Sequence, residues 1–141
     1  MMKILCVDDE ARVTELISEL LEFDSNEVKA INISSDVMDL ISNWEPNIII
    51  SDIKMPDTNG IELLERIKAY NPNIEVIMIS GHGDIENAIA SLRLGAANFI
   101  KKPIDARELL HSVKQLMETI RLRKENNEYK ENLELICCII L

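Results

Sequence analysis

The chain has 141 residues, of which 47% are apolar and 28% charged, with 15 Lys and Arg against 25 Asp and Glu for a net charge of −10. That mix fits one folded domain with a helical extension and excludes a disordered tail. The acidity sits in the first 104 residues, nine basic against eighteen acidic, which argues against direct nucleic-acid binding. No apolar run approaches the ~20 residues of a spanning helix. Asp8 and Asp9 fall where a signal peptide would still be apolar, so neither membrane insertion nor export is expected. Cys6, Cys137 and Cys138 make neither a disulfide framework nor a metal-ligand spacing, as in a reduced cytoplasmic protein.

In chain order, short β-branched runs alternate with amphipathic stretches. Lys3 to Val7 reads as a strand, followed at once by Asp8-Asp9-Glu10. Helical spacing then appears at Val13, Leu16, Ile17, Leu20 and Leu21. Glu27 to Ile33 is a more polar strand, readable as an edge, and Val37, Leu40, Ile41 and Trp44 predict a helix stopped near Pro46. Asn47 to Ser51 contains Ile48-Ile49-Ile50, a run without alternation that implies burial on both faces and hence a central parallel strand. After the loop from Asp52 to Gly60, a helix shows at Ile61, Leu64, Ile67 and Lys68, closed by Asn71-Pro72. Ile74 to Ile79 is a fourth strand, leaving through Ser80-Gly81-His82-Gly83. Asp84 can cap a helix carrying Ile85, Ala88, Ile89 and Leu92, with Gly95 as its stop. Asn98 to Lys101 is a fifth strand, and Lys102-Pro103 leads to a last helix from about Asp105.

Repeated strand–helix units with short loops specify a doubly wound α/β sheet with helices on both faces. Ligands in such sheets bind at the carboxyl ends of the strands. Asp8 and Asp9 follow the first strand, Asp52 the third, Ser80 the fourth and Lys102 the fifth. If the first and third strands are neighbours, three carboxylates converge, an arrangement that is costly without a cation or raised pKa values. All-oxygen donors suit a hard ion such as Mg²⁺, while a lysine and a hydroxyl suit the oxygens of a phosphoryl group.

These residues resemble the receiver domain of bacterial two-component response regulators, the CheY-like superfamily. The matching stretches are Val7-Asp8-Asp9-Glu10, Ser51-Asp52-Ile53-Lys54-Met55-Pro56 with Gly60, Ile79-Ser80-Gly81, and Phe99-Ile100-Lys101-Lys102-Pro103, spread over residues 3 to about 118. The resemblance implies a flavodoxin-like five-stranded parallel sheet of order 2-1-3-4-5. It implies that Asp52 accepts a phosphoryl group from a sensor histidine kinase. Mg²⁺ would be held by Asp8, Asp9, Asp52 and the backbone carbonyl of Lys54. Ser80 and Lys102 would contact the phosphoryl group, and the Lys102–Pro103 bond would be cis. Ser80 and Phe99 would switch the surface of helix four, strand five and helix five toward a downstream effector domain or protein.

Each residue also has a plainer reading. Acids after a strand serve the next helix dipole, a strand-end Ser can be a turn hydroxyl, and Phe99 can be an ordinary aromatic. Lys101 competes with Lys102, but strand alternation points it to the other face. His82 stands where it can influence water access to an acyl phosphate; neither it nor His111 has neighbours at metal-ligand spacing. A dinucleotide fingerprint fails, because Glu86 stands where its third glycine would fall. A haloacid-dehalogenase-type phosphohydrolase would need an acid two residues after the nucleophile, and Lys54 stands there. A degenerate, non-phosphorylated module is disfavoured by the joint presence of all five polar site residues.

The expected division is a receiver at 1–120 and a helical linker at 121–141 toward an output domain. Leu122, Asn126, Tyr129, Leu133 and Ile136 fit alternating a and d spacing with charges flanking them, the pattern of a short parallel coiled coil and a possible homodimer. A solvated helix, charged all round, is the alternative. Cys6 reads as core, and Cys137 and Cys138 as packing residues.

Overall fold

The computed structural model describes residues 2–81 and 85–140. Five strands, β1 (Lys3–Val7), β2 (Glu27–Ile31), β3 (Ile48–Asp52), β4 (Glu75–Ser80) and β5 (Asn98–Lys101), form one sheet in the order β2-β1-β3-β4-β5, every pairing parallel. The intervening helices are α1 (Ala11–Leu21), α2 (Val37–Trp44), α3 (Gly60–Tyr70), α4 (Ile85–Arg93) and α5 (Ala106–Ile140). The expected strand order and doubly wound architecture are therefore present.

Side-chain alternation along the strands divides the interior into two layers. Leu5, Val7, Ile49, Val76 and Met78 face the apolar sides of α2 and α3, where they meet Val37, Ile41, Leu63, Leu64 and Ile67. Ile4, Cys6, Ile48, Ile50, Ile77 and Ile79 face the other way onto Ile17 and Leu21 of α1 and Leu109 and Val113 of α5. All five residues of β3 are buried, the state its unbroken isoleucine run predicts for the middle of a covered sheet. Each such isoleucine contributes roughly 2 kcal/mol by leaving water. Burial also lifts the Cys6 thiol to about 12, consistent with a core role.

The structure differs from the sequence reading in several places, and β3 and β4 each lie one residue further along than read. β2 ends at Ile31 rather than Ile33, because Asn32 turns its side chain back to the carbonyl of Asp8 and Ser34–Asp36 form a 3₁₀ turn. In α1 the buried face is Thr14, Ile17 and Leu21, and Leu16 is exposed. In α4, Ile85, Ile89 and Leu92 are exposed and Ser91 is buried, so the apolar stripe of that helix points away from the sheet. Gly95 does end the α4 region, in a left-handed conformation (φ 101°) that favours glycine. Asp84, expected to cap α4, and His82 lie outside the described residues.

α5 is a single helix of 35 residues. Asp105 starts it by accepting hydrogen bonds from the backbone N–H groups of Arg107 (2.8 Å) and Glu108 (3.4 Å). Leu109 and Val113 are buried against the sheet, and Leu110, Leu116, Met117 and Ile120 pack beside them. Beyond Ile120 the helix continues with Leu122, Tyr129, Leu133 and Ile136 exposed. Arg123 ties its first free turn to the sheet, donating to Glu75 at the start of β4 over 2.8 Å. Among the described residues, no helix is long and apolar enough to cross a membrane.

Candidate functional site at the carboxyl rim of the sheet

Strand register brings the polar residues together. Val7 pairs with Ser51, so Asp8 and Asp52 are the next residues on adjacent strands. Ser80 closes β4 opposite Lys101, and the backbone N–H of Lys102 then donates to the Ser80 carbonyl at 2.7 Å, which holds Lys102 at the rim. The Lys102–Pro103 bond is cis. From there the Lys102 ammonium reaches Asp52 Oδ2 at 3.0 Å and Asp8 Oδ2 at 3.1 Å. Lys101 is exposed, the alternation expected of neighbours in a strand.

Asp8 and Asp52 are buried, whereas Asp9 is exposed beside them. Carboxylate oxygens of Asp8, Asp9 and Asp52 all lie within 4.8 Å of one another. Lys102 pairs with two of these three acids, and its geometry serves Asp52 better than Asp8. It donates a hydrogen bond to Asp52, but its approach to Asp8 is off-axis, leaving Asp8 Oδ2 buried at ion-pair distance without a hydrogen bond. Burial accordingly drives the Asp8 pKa upward, with the Asp52 charge adding to it, against the lowering effect of the Glu10 N–H and of Lys102. Burial works against the Lys102 charge too, yet its hydrogen bond to Asp52 and its ion pair with Asp8 outweigh it and hold the ammonium above its ordinary range.

The loop after β3 is folded tightly against the strand. Asp52 Oδ1 accepts from the Lys54 N–H at 3.2 Å, the Ile53 N–H donates to Ile79 O at 2.9 Å, and the Gly60 N–H donates to Ile53 O at 2.7 Å. A Cβ at Gly60 would lie 2.6 Å from the Ile53 Cα and closer still to the Asp52 carbonyl, so only glycine allows this closure. Asn59 caps α3 by accepting from the Ile61 N–H at 2.9 Å. Ser80 is buried at the rim, and Phe99 is half-buried, packed on the α2–α3 layer and paired with Met78. Asp8, Asp9, Asp52, Lys54, Ser80 and Lys102 thus lie on the loops and strand ends of one rim, whereas Phe99 sits below it within β5.

An oxygen-only set of two buried carboxylates, a third exposed one and a partly unsatisfied oxygen suits a hard divalent cation. Among the described residues, no thiolate or imidazole joins the cluster. A cavity of about 680 Å³ lies elsewhere, at the opposite rim among Met2, Phe23, Lys114, Met117 and Ile120, and holds none of these acids.

Comparison with known proteins agrees with this arrangement: the profile of the response regulator receiver domain matches residues 4–114. The chain belongs to the response regulator receiver domain family. Its receiver is 38% identical over 130 residues to the nitrogen assimilation regulatory protein NtrX of Azorhizobium caulinodans, covering 91% of this chain and 29% of that protein. It is 31% identical to the C4-dicarboxylate transport regulator DctD of Pseudomonas aeruginosa, over 88% of this chain and 27% of the relative. The crystal structure of Brucella abortus NtrX superposes with a TM-score of 0.83 at 32% identity, covering 92% of this chain and 30% of that one. A Clostridium thermocellum receiver domain superposes at 0.80 with 33% identity, over 86% and 98% of the two chains. The chain therefore spans under a third of the length of these two curated relatives.

Sequence reasoning missed the residues behind the acids. Asn32 donates from Nδ2 to Asp8 O at 2.8 Å and to Thr14 Oγ1 at 3.2 Å, and Thr14 Oγ1 donates to Ala11 O at 3.0 Å. A polar residue at the end of an edge strand was the available signal, but its partners lie 24 and 18 residues away.

Proposed function

We propose that this receiver takes a phosphoryl group from a sensor histidine kinase onto Asp52, in a Mg²⁺-dependent step, and thereby controls an output domain or protein. The observation that carries the reading is the single ammonium shared by two buried carboxylates, Asp8 and Asp52, with a third, Asp9, alongside. Such a cluster is poised to exchange one internal cation for a metal and a phosphoryl group. Asp8, Asp9, Asp52 and the Lys54 carbonyl are the residues to hold Mg²⁺. The bound ion supplies positive charge that offsets repulsion between phosphoryl and carboxylate oxygens.

In the transfer, a carboxylate oxygen of Asp52 bonds to phosphorus while the bond from phosphorus to the donor imidazole nitrogen breaks, the electron pair leaving with nitrogen. Lys102 moves from the carboxylate pair to the incoming phosphoryl oxygens, compensating them as a point charge. Ser80 donates its hydroxyl to the same group, and Phe99, half-buried on the adjacent strand, follows Ser80 inward. That rearrangement alters the surface of α4, β5 and α5, where exposed Ile85, Ile89 and Leu92 are available to a partner. The chain promotes its own phosphorylation and slow hydrolysis without acting as a metabolic enzyme, and it works in the cytoplasm. Residues 121–141 form a linker to the output, and their exposed a–d stripe supports a parallel homodimer. In sedimentation, a chain ending near Ile120 should run as a monomer and the full chain as a dimer; the same oligomeric state in both would exclude the tail as dimeriser.

The central test is intact mass after acetyl phosphate with Mg²⁺. Wild type should gain one phosphoryl group and Asp52→Asn none; an equal gain in both would refute the assignment of Asp52.

A further inference from the structure

Three backbone or side-chain groups of Asp8 are fixed from outside the acidic cluster. Its N–H donates to Ile31 O at 3.2 Å, its carbonyl accepts from Asn32 Nδ2 at 2.8 Å, and its Oδ1 accepts from the Glu10 N–H at 2.9 Å. Two of these three ties come from the end of β2, the edge strand. At the start of α1, Glu10 makes no side-chain capping bond of its own. The Asp8 Oδ1–Glu10 N–H bond closes the Asp8–Asp9–Glu10 turn, and a relay, in which Asn32 donates to Thr14 Oγ1 (3.2 Å) and Thr14 in turn to Ala11 O (3.0 Å), joins Asn32 to the first turn of α1. Thr14 is buried, so water does not substitute readily for either bond.

We infer that Asn32 is a positioning residue for the cation: it clamps the Asp8 peptide and the first turn of α1 so that the Asp8 and Asp9 carboxylates face Asp52. Asn32 touches no carboxylate of the cluster itself. Its effect passes through the backbone, because a turn free to rotate would spread its two acids over several orientations and only a fraction would be competent to bind. The amide is suited to this work. It has two N–H donors, enough for the Asp8 carbonyl and the Thr14 hydroxyl at once, and no charge to compete with the acids for the metal. The shortened β2 has the same origin: the chain leaves the sheet at Ile31 so that the next side chain turns inward.

The inference rests on the proposed Mg²⁺ site, and the test separates the two. Mg²⁺ binding to the full chain is followed by isothermal titration calorimetry without any phosphoryl donor, alongside Mg²⁺-dependent phosphorylation from acetyl phosphate and urea unfolding in EDTA. Asn32→Ala should raise the Mg²⁺ dissociation constant about ten-fold. Saturating Mg²⁺ should then restore the phosphorylation rate to within about two-fold of wild type, as expected for misplacement rather than lost chemistry. Asn32→Asp, equal in size but without the donors, should be at least as impaired. Thr14→Val, which keeps the shape and breaks the relay, should weaken binding in the same direction. Amide exchange at Asp9 and Glu10 in the metal-free protein should accelerate in all three. Unchanged Mg²⁺ affinity in folded Asn32→Ala and Thr14→Val, or a loss of unfolding stability alone, would overturn the role of Asn32 while leaving the Mg²⁺ site standing. Failure of wild type to bind Mg²⁺ would instead remove the site, and this inference with it.

Discussion

The two rims of this sheet handle charge in opposite ways. At the amino rim, charges are matched locally: Glu75 takes Arg123, Glu27 takes the Trp44 indole N–H at 2.9 Å, and Lys29 lies 4.6 Å from the Trp44 ring centroid. Lys68 there donates to Ile74 O at 2.7 Å and to Pro72 O at 3.3 Å. At the carboxyl rim, three acids crowd one lysine and a buried oxygen lacks a hydrogen bond. Stability alone would favour the first pattern at both ends. The second costs free energy in the isolated chain, and a ligand that supplies positive charge recovers it.

The largest test of that contrast is steric. Gly60→Ala should cost about 3 kcal/mol in urea unfolding, because the new methyl meets the backbone of Asp52 and Ile53 rather than a movable side chain. Mg²⁺-dependent phosphorylation should fall with it.

Asp8→Asn should do the reverse, making the metal-free chain more stable at neutral pH by on the order of 1 kcal/mol while weakening Mg²⁺ binding. The sign follows from the raised Asp8 pKa. Its favourable contribution is complete below the ordinary carboxylate value of 3.8 and is lost as pH rises through the folded value. Urea unfolding in EDTA at pH 5 and pH 7 should therefore show a flatter pH dependence in Asp8→Asn than in wild type.

The smallest effect belongs to the amino rim. Arg123→Ala should cost about 0.5 kcal/mol, since its pair with Glu75 is partly exposed. Hydrogen exchange should quicken in α5 beyond residue 121, with Mg²⁺ affinity unchanged. A change in that affinity would erase the distinction between the rims.

Much of the acidic rim was legible because parallel α/β sheets deliver strand ends to one place. Once Ile48-Ile49-Ile50 marks the central strand, Asp52 is at its mouth, and Asp8 follows from the neighbouring strand. The choice of Lys102 over Lys101 rested on the family pattern before Pro103 and on alternation, and the structure sets the Lys102 ammonium against Asp52 and Asp8. What escaped was long-range or depended on which face a helix turns. Asn32 and Arg123 bond residues far away in sequence, and local periodicity carries no such information. In α4, the spacing of Ile85, Ile89 and Leu92 identifies a helix with an apolar stripe but not the side on which that stripe lies. The continuation of α5 past Ile120 follows from the a–d spacing of Leu122, Asn126, Tyr129, Leu133 and Ile136.

That continuation has a mechanical meaning. At about 1.5 Å per residue, the twenty residues after Ile120 extend roughly 30 Å as a stiff rod rooted in the packing of Leu109 and Val113. A rod converts angle into distance, so a tilt of about 4° at its root, too slight to disturb the interior, carries its far end about 2 Å sideways. Anything fastened there would feel the chemistry of one aspartate as a displacement.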